Sequence, residues 1–326
     1  MGLLSAIAGL VMPPPPPDPV ARAALERIFE VVDPLLRADA GLGHRLKKPV
    51  RHALEYCGDL VSSLPAAVDV GRHAFGRNPL VHALFASADD ISWMLGSSEA
   101  VRDYLEQPGC WESDHFYTLL AARRQEKRQL GLALQGEIVH ADVPQTVLYF
   151  SDHVLVEPSC DLETTRSRLR QAAFDSLLKS FRAHVEALRQ ERNSLAADRS
   201  LEQAHLAVRE GQPGQTGIAV HTRHLAELEA HLRRVADSLL PEHLEEALAS
   251  YLLVPEISLR LEPATFRVDR LGILAETAAD ADTLSFYELC ARDRRRHLVI
   301  LARIDREEAR QAVEACRDRQ RRFLII

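Results

Sequence analysis

His221, His224 and His231 put three of the chain's fourteen histidines within eleven residues, with Glu227 among them. Imidazole nitrogens and carboxylate oxygens are ordinary ligands of zinc and related ions. At about 100° per residue, 224, 227 and 231 share one side of a helix, so a site of two histidines and one carboxylate is sterically possible. The H-E-x-x-H spacing of zinc proteases is absent, and another element would have to supply a further ligand. The plainer reading is a solvated flank of a helix.

A second group lies in "HADVPQTVLYFSDHVLVEP": His140, Asp142, Asp152, His153 and Glu157. If a hairpin here brings 142 opposite 152, these groups gather at one end and could bind a metal or shuttle protons. Asp269 and Glu288 could serve as a carboxylate pair of a nuclease, but no lysine follows at the expected offset. A third group is basic: Arg292, Arg294, Arg295 and Arg296 could hold an anion. No aromatic residue interleaves with them to stack on bases, so nucleic acid is not an expected partner.

Other chemistries lose ground by absence of signal. There is no G-x-x-x-x-G-K-[ST], no G-x-G-x-x-G and no G-x-S-x-G. The net charge of −7 and pI near 6.1 give no bulk attraction to nucleic acid or anionic lipid. The charge is uneven, though: residues 291 to 322 hold eleven arginines against six acids. The five cysteines form no C-x-x-C pair and their number is odd, which suits a reducing cytoplasm better than a disulfide framework. Arginine far outnumbers lysine, and with the Ala and Leu richness this points to a GC-rich bacterial genome. No run approaches the roughly 18 apolar residues of a transmembrane helix.

The elements that must position these residues follow from pattern. "MGLLSAIAGLVM" forms an apolar peptide, and five prolines then hold it off the body by about 16 Å of polyproline II. It lacks the basic start of a signal peptide. Residues 18–129 read as a helical unit. "DPVARAALERIFEVVDPLLR" and "KKPVRHALEYCGDLVSSL" are helices, shorter ones follow at 79–86 and 97–107, and "SDHFYTLLAARRQEKRQ" is another. Residues 130–160 read as a β-hairpin, with strands near 131–140 and 145–156 joined through "ADVPQ".

From 161 the helical period returns. Phe174, Leu178, Phe181, Val185, Leu188 and Leu195 step as a heptad seam, with Arg192 in the missing slot. After a Gly/Pro break, Ile218, His221, Leu225, Leu228, Leu232, Val235 and Leu239 form a second seam. Residues 161–249 are therefore expected as a long antiparallel helical hairpin with coiled-coil packing. Residues 250–326 alternate. Four antiparallel strands are expected between 252 and 304, turning at "EPAT" and "RDRRR", then a helix capped by Asp305 and an edge strand at "RRFLII".

The expected fold is α+β: a helical N-terminal unit, a long antiparallel helical hairpin and a small C-terminal antiparallel sheet. The expected function is a non-enzymatic cytoplasmic interaction or scaffold protein that works through the hairpin. It would bind another protein or a second copy of itself and carry no cofactor. The alternative is a metal-dependent hydrolase or nuclease using the acids and histidines near 140–157, with the arginine-rich tip binding anions.

Overall fold

The computed structural model describes residues 19–34, 36, 45–135, 138–210, 218–269, 271–274, 281–292 and 296–323. The apolar peptide, its proline spacer, Arg294 and Arg295 lie outside the described residues. The chain mixes helix with an antiparallel sheet and is broadly α+β. It divides into two compact units. One combines residues 1–55 with 175–255, and the other 56–174 with 256–326.

The second unit holds the sheet. Its strands are β1 (Val68–Asp69), β2 (His115–Gln135), β3 (Ile138–Ser159), β4 (Leu259–Val268), β5 (Asp282–Ala291) and β6 (Arg296–Asp305). Their order is β3-β2-β6-β5-β4, all antiparallel, and β1 adds to β6 in parallel at 68–69 against 302–303. Central β6 is buried on both faces, as its unbroken "LVILA" run requires. One face is covered by α5 (Ala88–Ser97), α6 (Glu99–Glu106) and α10 (Arg306–Phe323), whose Ile91, Leu95, Val101 and Ala309 meet Phe116, Leu120, Leu298 and Ile300. Short helices α3 (Arg72–Phe75) and α4 (Pro79–Leu84) add to that side. On the other face Val61 and Leu64, from the end of α2 (Lys47–Ser62) and just after it, pack with Leu169 against Val299 and Leu301.

Several expectations change here. "SDHFYTLLAARRQEKRQ" is strand, not helix: Phe116, Thr118, Leu120 and Ala122 alternate into the core. The two strands are therefore about twice as long as expected, and "ADVPQ" is mid-strand with Pro144 opposite Leu130. Likewise "EPAT" is not a turn but the middle of β4, and among the described residues the C-terminal region has three strands, β4, β5 and β6, where four were expected. Both prolines sit on the outermost strands, where a missing N–H costs no ladder bond. "RRFLII" begins as helix, since α10 runs through Phe323.

Strand β3 carries three bulges. Each puts one extra residue opposite β2, and each places an acid in the left-handed region: Asp142 (φ 61°), Asp152 (φ 54°) and Glu157 (φ 52°). A turn after β4 closes the sheet's rim. The Leu148 amide donates to Gly272 O and that of Leu274 to Thr146 O, both at 2.8 Å, while Leu274 also bridges to Val268. Gly272 has φ +77°, and a Cβ there would lie 2.9 Å from the Leu148 carbonyl. Only glycine fits that approach.

The first unit is helical. It contains α1 (Pro19–Val31), the start of α2, most of α7 (Leu162–Glu210), α8 (Ile218–Ser238) and α9 (Pro241–Leu252). With 49 residues, α7 is about 74 Å long at ~1.5 Å per residue. The buried side chains include Ile28, Val50, Leu178, Phe181, Val185, Leu244 and Leu248. Arg27 donates to both oxygens of Asp175 at 2.9 and 2.7 Å, Arg189 pairs with the buried Asp33, and Arg45 with the buried Glu245. The Tyr251 hydroxyl donates to Leu177 O at 3.1 Å.

Candidate functional site

The clustered histidines lie on α8, and carboxylates of α7 meet two of them. His221 Nδ1 is 2.5 Å from Glu202 Oε1, and His231 Nε2 is 3.0 Å from Glu191 Oε1. Stepping eleven residues back on α7 accompanies ten forward on α8, so the helices run antiparallel side by side. His221 falls on the seam of α8, with Leu225, Leu228 and Leu232 half-buried beside it and Val235 buried. The hydrogen bond from His221 holds the Glu202 carboxyl below its ordinary 4.5, against the effect of burial, and His224 and His205 add to the lowering through their charge.

Glu227 does not join the histidines. It accepts from Arg223 Nε at 3.2 Å, one turn back on its own helix. His224 is exposed. Among the described residues, no group of three or more histidines, cysteines or acids is placed to hold a metal ion. The partners that sequence reasoning missed are Glu191 and Glu202. They could have been found by laying the two seams antiparallel and asking which side chains then face one another.

The group near 140–157 is not brought together. Asp142 and Asp152 lie on the same strand, ten residues apart, each at its own bulge. At ~3.3 Å per residue that is roughly 30 Å. His140, Asp142 and Asp152 are exposed, and Glu157 half-buried. His153 points into the core side, stacks on Phe85 at 4.5 Å between centroids, and donates through Nε2 to Leu84 O at 2.8 Å. Burial pushes its pKa below the ordinary 6.5.

Of the four candidate arginines, Arg292 and Arg296 lie among the described residues, and Arg292 is exposed. The Arg292 amide donates to Ser258 O at 3.0 Å. The Arg296 guanidinium stands 3.5 Å from Glu262 and 3.6 Å from the buried Glu288. Glu288 also accepts from Arg124 Nε at 2.6 Å, and Arg124 lies over the Phe266 ring at 4.8 Å. Asp269 does not meet Glu288. Its Oδ1 accepts from the amides of Leu271 and Ile273 at 2.8 and 2.9 Å and so shapes the turn.

What the helical arm offers instead is surface. Leu201 is 58% exposed and Val220 is 70% exposed. Each precedes a member of the Glu202–His221 pair by one residue. In antiparallel helices that step turns both side chains to the same flank. Ala197 and Ala204, four before and three after Leu201, extend the flank and are exposed too. No protein-family model, curated protein or solved structure matches this chain. No helix among the described residues is long and apolar enough to cross a membrane.

Proposed function

We propose that the protein is a non-enzymatic interaction protein that binds a partner protein through the flank of its α7–α8 arm. The observation that carries this reading is the joint exposure of Leu201 and Val220 on one side of paired helices. Large apolar side chains gathered on one face of a soluble chain mark binding surfaces more often than scattered ones do. Arms of two helices suit this work because the seam fixes the backbone while the flanks stay free to contact a partner.

The test compares the full chain with a Leu201→Glu, Val220→Glu variant in its native host, by affinity purification and mass spectrometry. The expected result is a stoichiometric partner lost from the variant, with circular dichroism unchanged. Light scattering of the pure protein identifies a second copy as the partner if the mass doubles and the variant reverts it. The same partners on both proteins would exclude the flank. Stoichiometric zinc, manganese or iron in the purified chain would favour a metal-dependent hydrolase instead.

A further inference from the structure

In the sheet unit, β2 and β3 continue past the rest of the sheet as a two-stranded ribbon. Strand β2 pairs with β6 only over 115–123, whereas its pairing with β3 runs on to Gln135 opposite Ile138. The even-numbered residues of β2 face the core, where Leu120 and Ala122 are buried with Leu148 and Phe150 of β3. Beyond the sheet the same face stays apolar and lies open. Leu130 is 66% exposed, Leu132 69%, and Val139, which stands opposite Leu134, 61%. Pro144 lies opposite Leu130 and is exposed too. The other face is polar, with Lys127, Gln129 and His140 exposed. Apolar side chains gathered in one open row mark a contact surface, as single scattered ones do not.

The ribbon has a fixed register. Gln145 Nε2 crosses the polar face and donates to Leu132 O at 2.8 Å. A Cβ on Gly131 would lie 2.0 Å from Gln145 Oε1, so glycine is what lets that side chain close over the strand. The bond pins the neighbouring bulge, where Ala141 and Asp142 together stand opposite Leu132. Two charges therefore flank the apolar centre. Arg128 lies two residues from Leu130 on the side of the sheet, and Asp142 stands beside Leu132, two residues from Leu130 on the side of the tip. Both are exposed, and among the described residues neither side chain makes an ion pair.

This pattern is complementary to itself. Sheets packed face to face keep their strands within about 30° of alignment. A two-fold axis through the Leu130–Pro144 level then lays a second ribbon antiparallel on the first and exchanges the levels of Arg128 and Asp142. An isologous contact needs that reciprocity. A lipid surface would instead take up Asp142 beside Leu132 without a partner. Pairing along the outer edge of β3 is interrupted by Pro144, which has no N–H to give.

We propose that two copies of the chain associate face to face through these ribbons, with Leu130 and Leu132 at the centre and Arg128 paired to the partner's Asp142. From Arg128 to Leu134 the face is roughly 20 Å long at 3.3 Å per residue. Two strands of that length bury well under the ~800 Å² per partner of a standard interface, so the association is weak and depends on concentration. It is a contact of the sheet unit, separate from the flank of α7 and α8.

Sedimentation equilibrium of the full chain, from micromolar to millimolar concentration, is the test. The mass is expected to rise with concentration towards that of a dimer, and Leu130→Gln is expected to hold it near the monomer. Arg128→Glu sets like charges together at both ends of the contact and is expected to weaken association by about tenfold or more. Asp142→Asn keeps a residue type that tolerates the left-handed backbone. Added to Arg128→Glu, it removes the repulsion and is expected to restore much of the lost association. Because the rescue compares two variants that share the Arg128 change, a failure to fold cannot imitate it, and circular dichroism checks each variant. A chain that stays monomeric at millimolar concentration overturns the proposal. So does association untouched by Leu130→Gln, or an Arg128→Glu variant that Asp142→Asn does not rescue. Association lost in the Leu201→Glu, Val220→Glu variant instead overturns it by giving the second copy to the arm. Flotation of a monomeric chain with phosphatidylserine vesicles, abolished by Leu130→Gln, overturns it by giving the face to lipid.

Discussion

His153 joins a strand bulge to a helix end, and its chemistry makes that joint sensitive to pH. The ring is held neutral by burial beside Phe85, while Nε2 donates to the carbonyl of Leu84. Because the folded pKa lies below 6.5, the unfolded chain binds the proton more readily. The contribution to stability is then complete above pH 6.5 and is lost as pH falls through the lowered value. Denaturant midpoints at pH 7.5 and 5.5 should show this loss, and His153→Gln, which keeps a donor but does not titrate, should flatten it. An unchanged difference in the variant would assign the pH effect to other groups. Glu288 poses a different demand. Its carboxylate is buried between Arg124 and Arg296. Glu288→Ala leaves Arg124 paired only with the exposed Glu126 and should cost about 1–3 kcal/mol by urea denaturation. Glu288→Gln, which keeps an acceptor for Arg124, should cost clearly less. At this scale the sequence named the right residue types but not their partners: Glu227 looked like a companion of His224 and His231, yet Arg223 takes it and Glu191 takes His231.

The elements were legible where packing is local and misread where it is distant. Helices at 47–62, 79–84, 99–106 and 162–210 announce themselves by apolar period, Pro or Asp starts and breakers. The stretch 115–135 did not, because "AARRQEKRQ" is built of strong helix formers. It is a strand because β3 pairs with it along nearly its whole length, and pairing outweighs propensity. The alternation of Phe116, Leu120 and Ala122 was the available signal. Pro144 and Pro263 misled in the same way, since a proline on an outermost strand looks like a turn in sequence. Close helix contact tests the packing directly. A Cβ on Gly96 of α5 would lie 2.4 Å from the Ala312 carbonyl of α10 and 2.9 Å from Cys316 Cβ. Gly96→Ala must push the two helices apart and should cost about 1–3 kcal/mol, as overpacking usually does. On α7, Leu178 is fully buried and Lys179 exposed. Leu178→Ala should cost about 2–5 kcal/mol by chemical denaturation, whereas Lys179→Ala should stay within about ±0.5 kcal/mol. Equal effects would show that the seam has the wrong phase. The pair Leu228 and Glu229 makes a poorer test, since both are half-buried.

For the whole chain, the sequence reads as consecutive blocks, while both compact units draw on separated stretches. Strand β2 pairs residue 115 with 305, and no local pattern can announce a partner so far along the chain. What the whole molecule adds is a shape for its stability against pH. At the acid side, Asp69 is held below 3.8 by Arg303, and Glu262 and Glu307 below 4.5 by Arg260 and Arg310. Their contributions are present above those ordinary values and are lost as pH falls through the lowered ones. At the alkaline side the sign reverses. Burial raises the Cys57 thiol from 9.0 to about 12, and Tyr104 likewise from 10.0 to about 12. The folded chain keeps these protons after the unfolded chain has released them, so stability is full below pH 9 and declines as pH rises towards 12. Each retained proton contributes a slope of about 1.4 kcal/mol per pH unit. Cys57 is fully buried and makes the cleanest probe. Urea unfolding of wild type and Cys57→Ala, under reducing conditions at pH 8 and 10.5, should show a smaller alkaline loss in the variant, even though its stability at pH 8 is lower from the cavity. A parallel decline in both proteins would mean that the thiol ionises as freely in the folded chain as in the unfolded one.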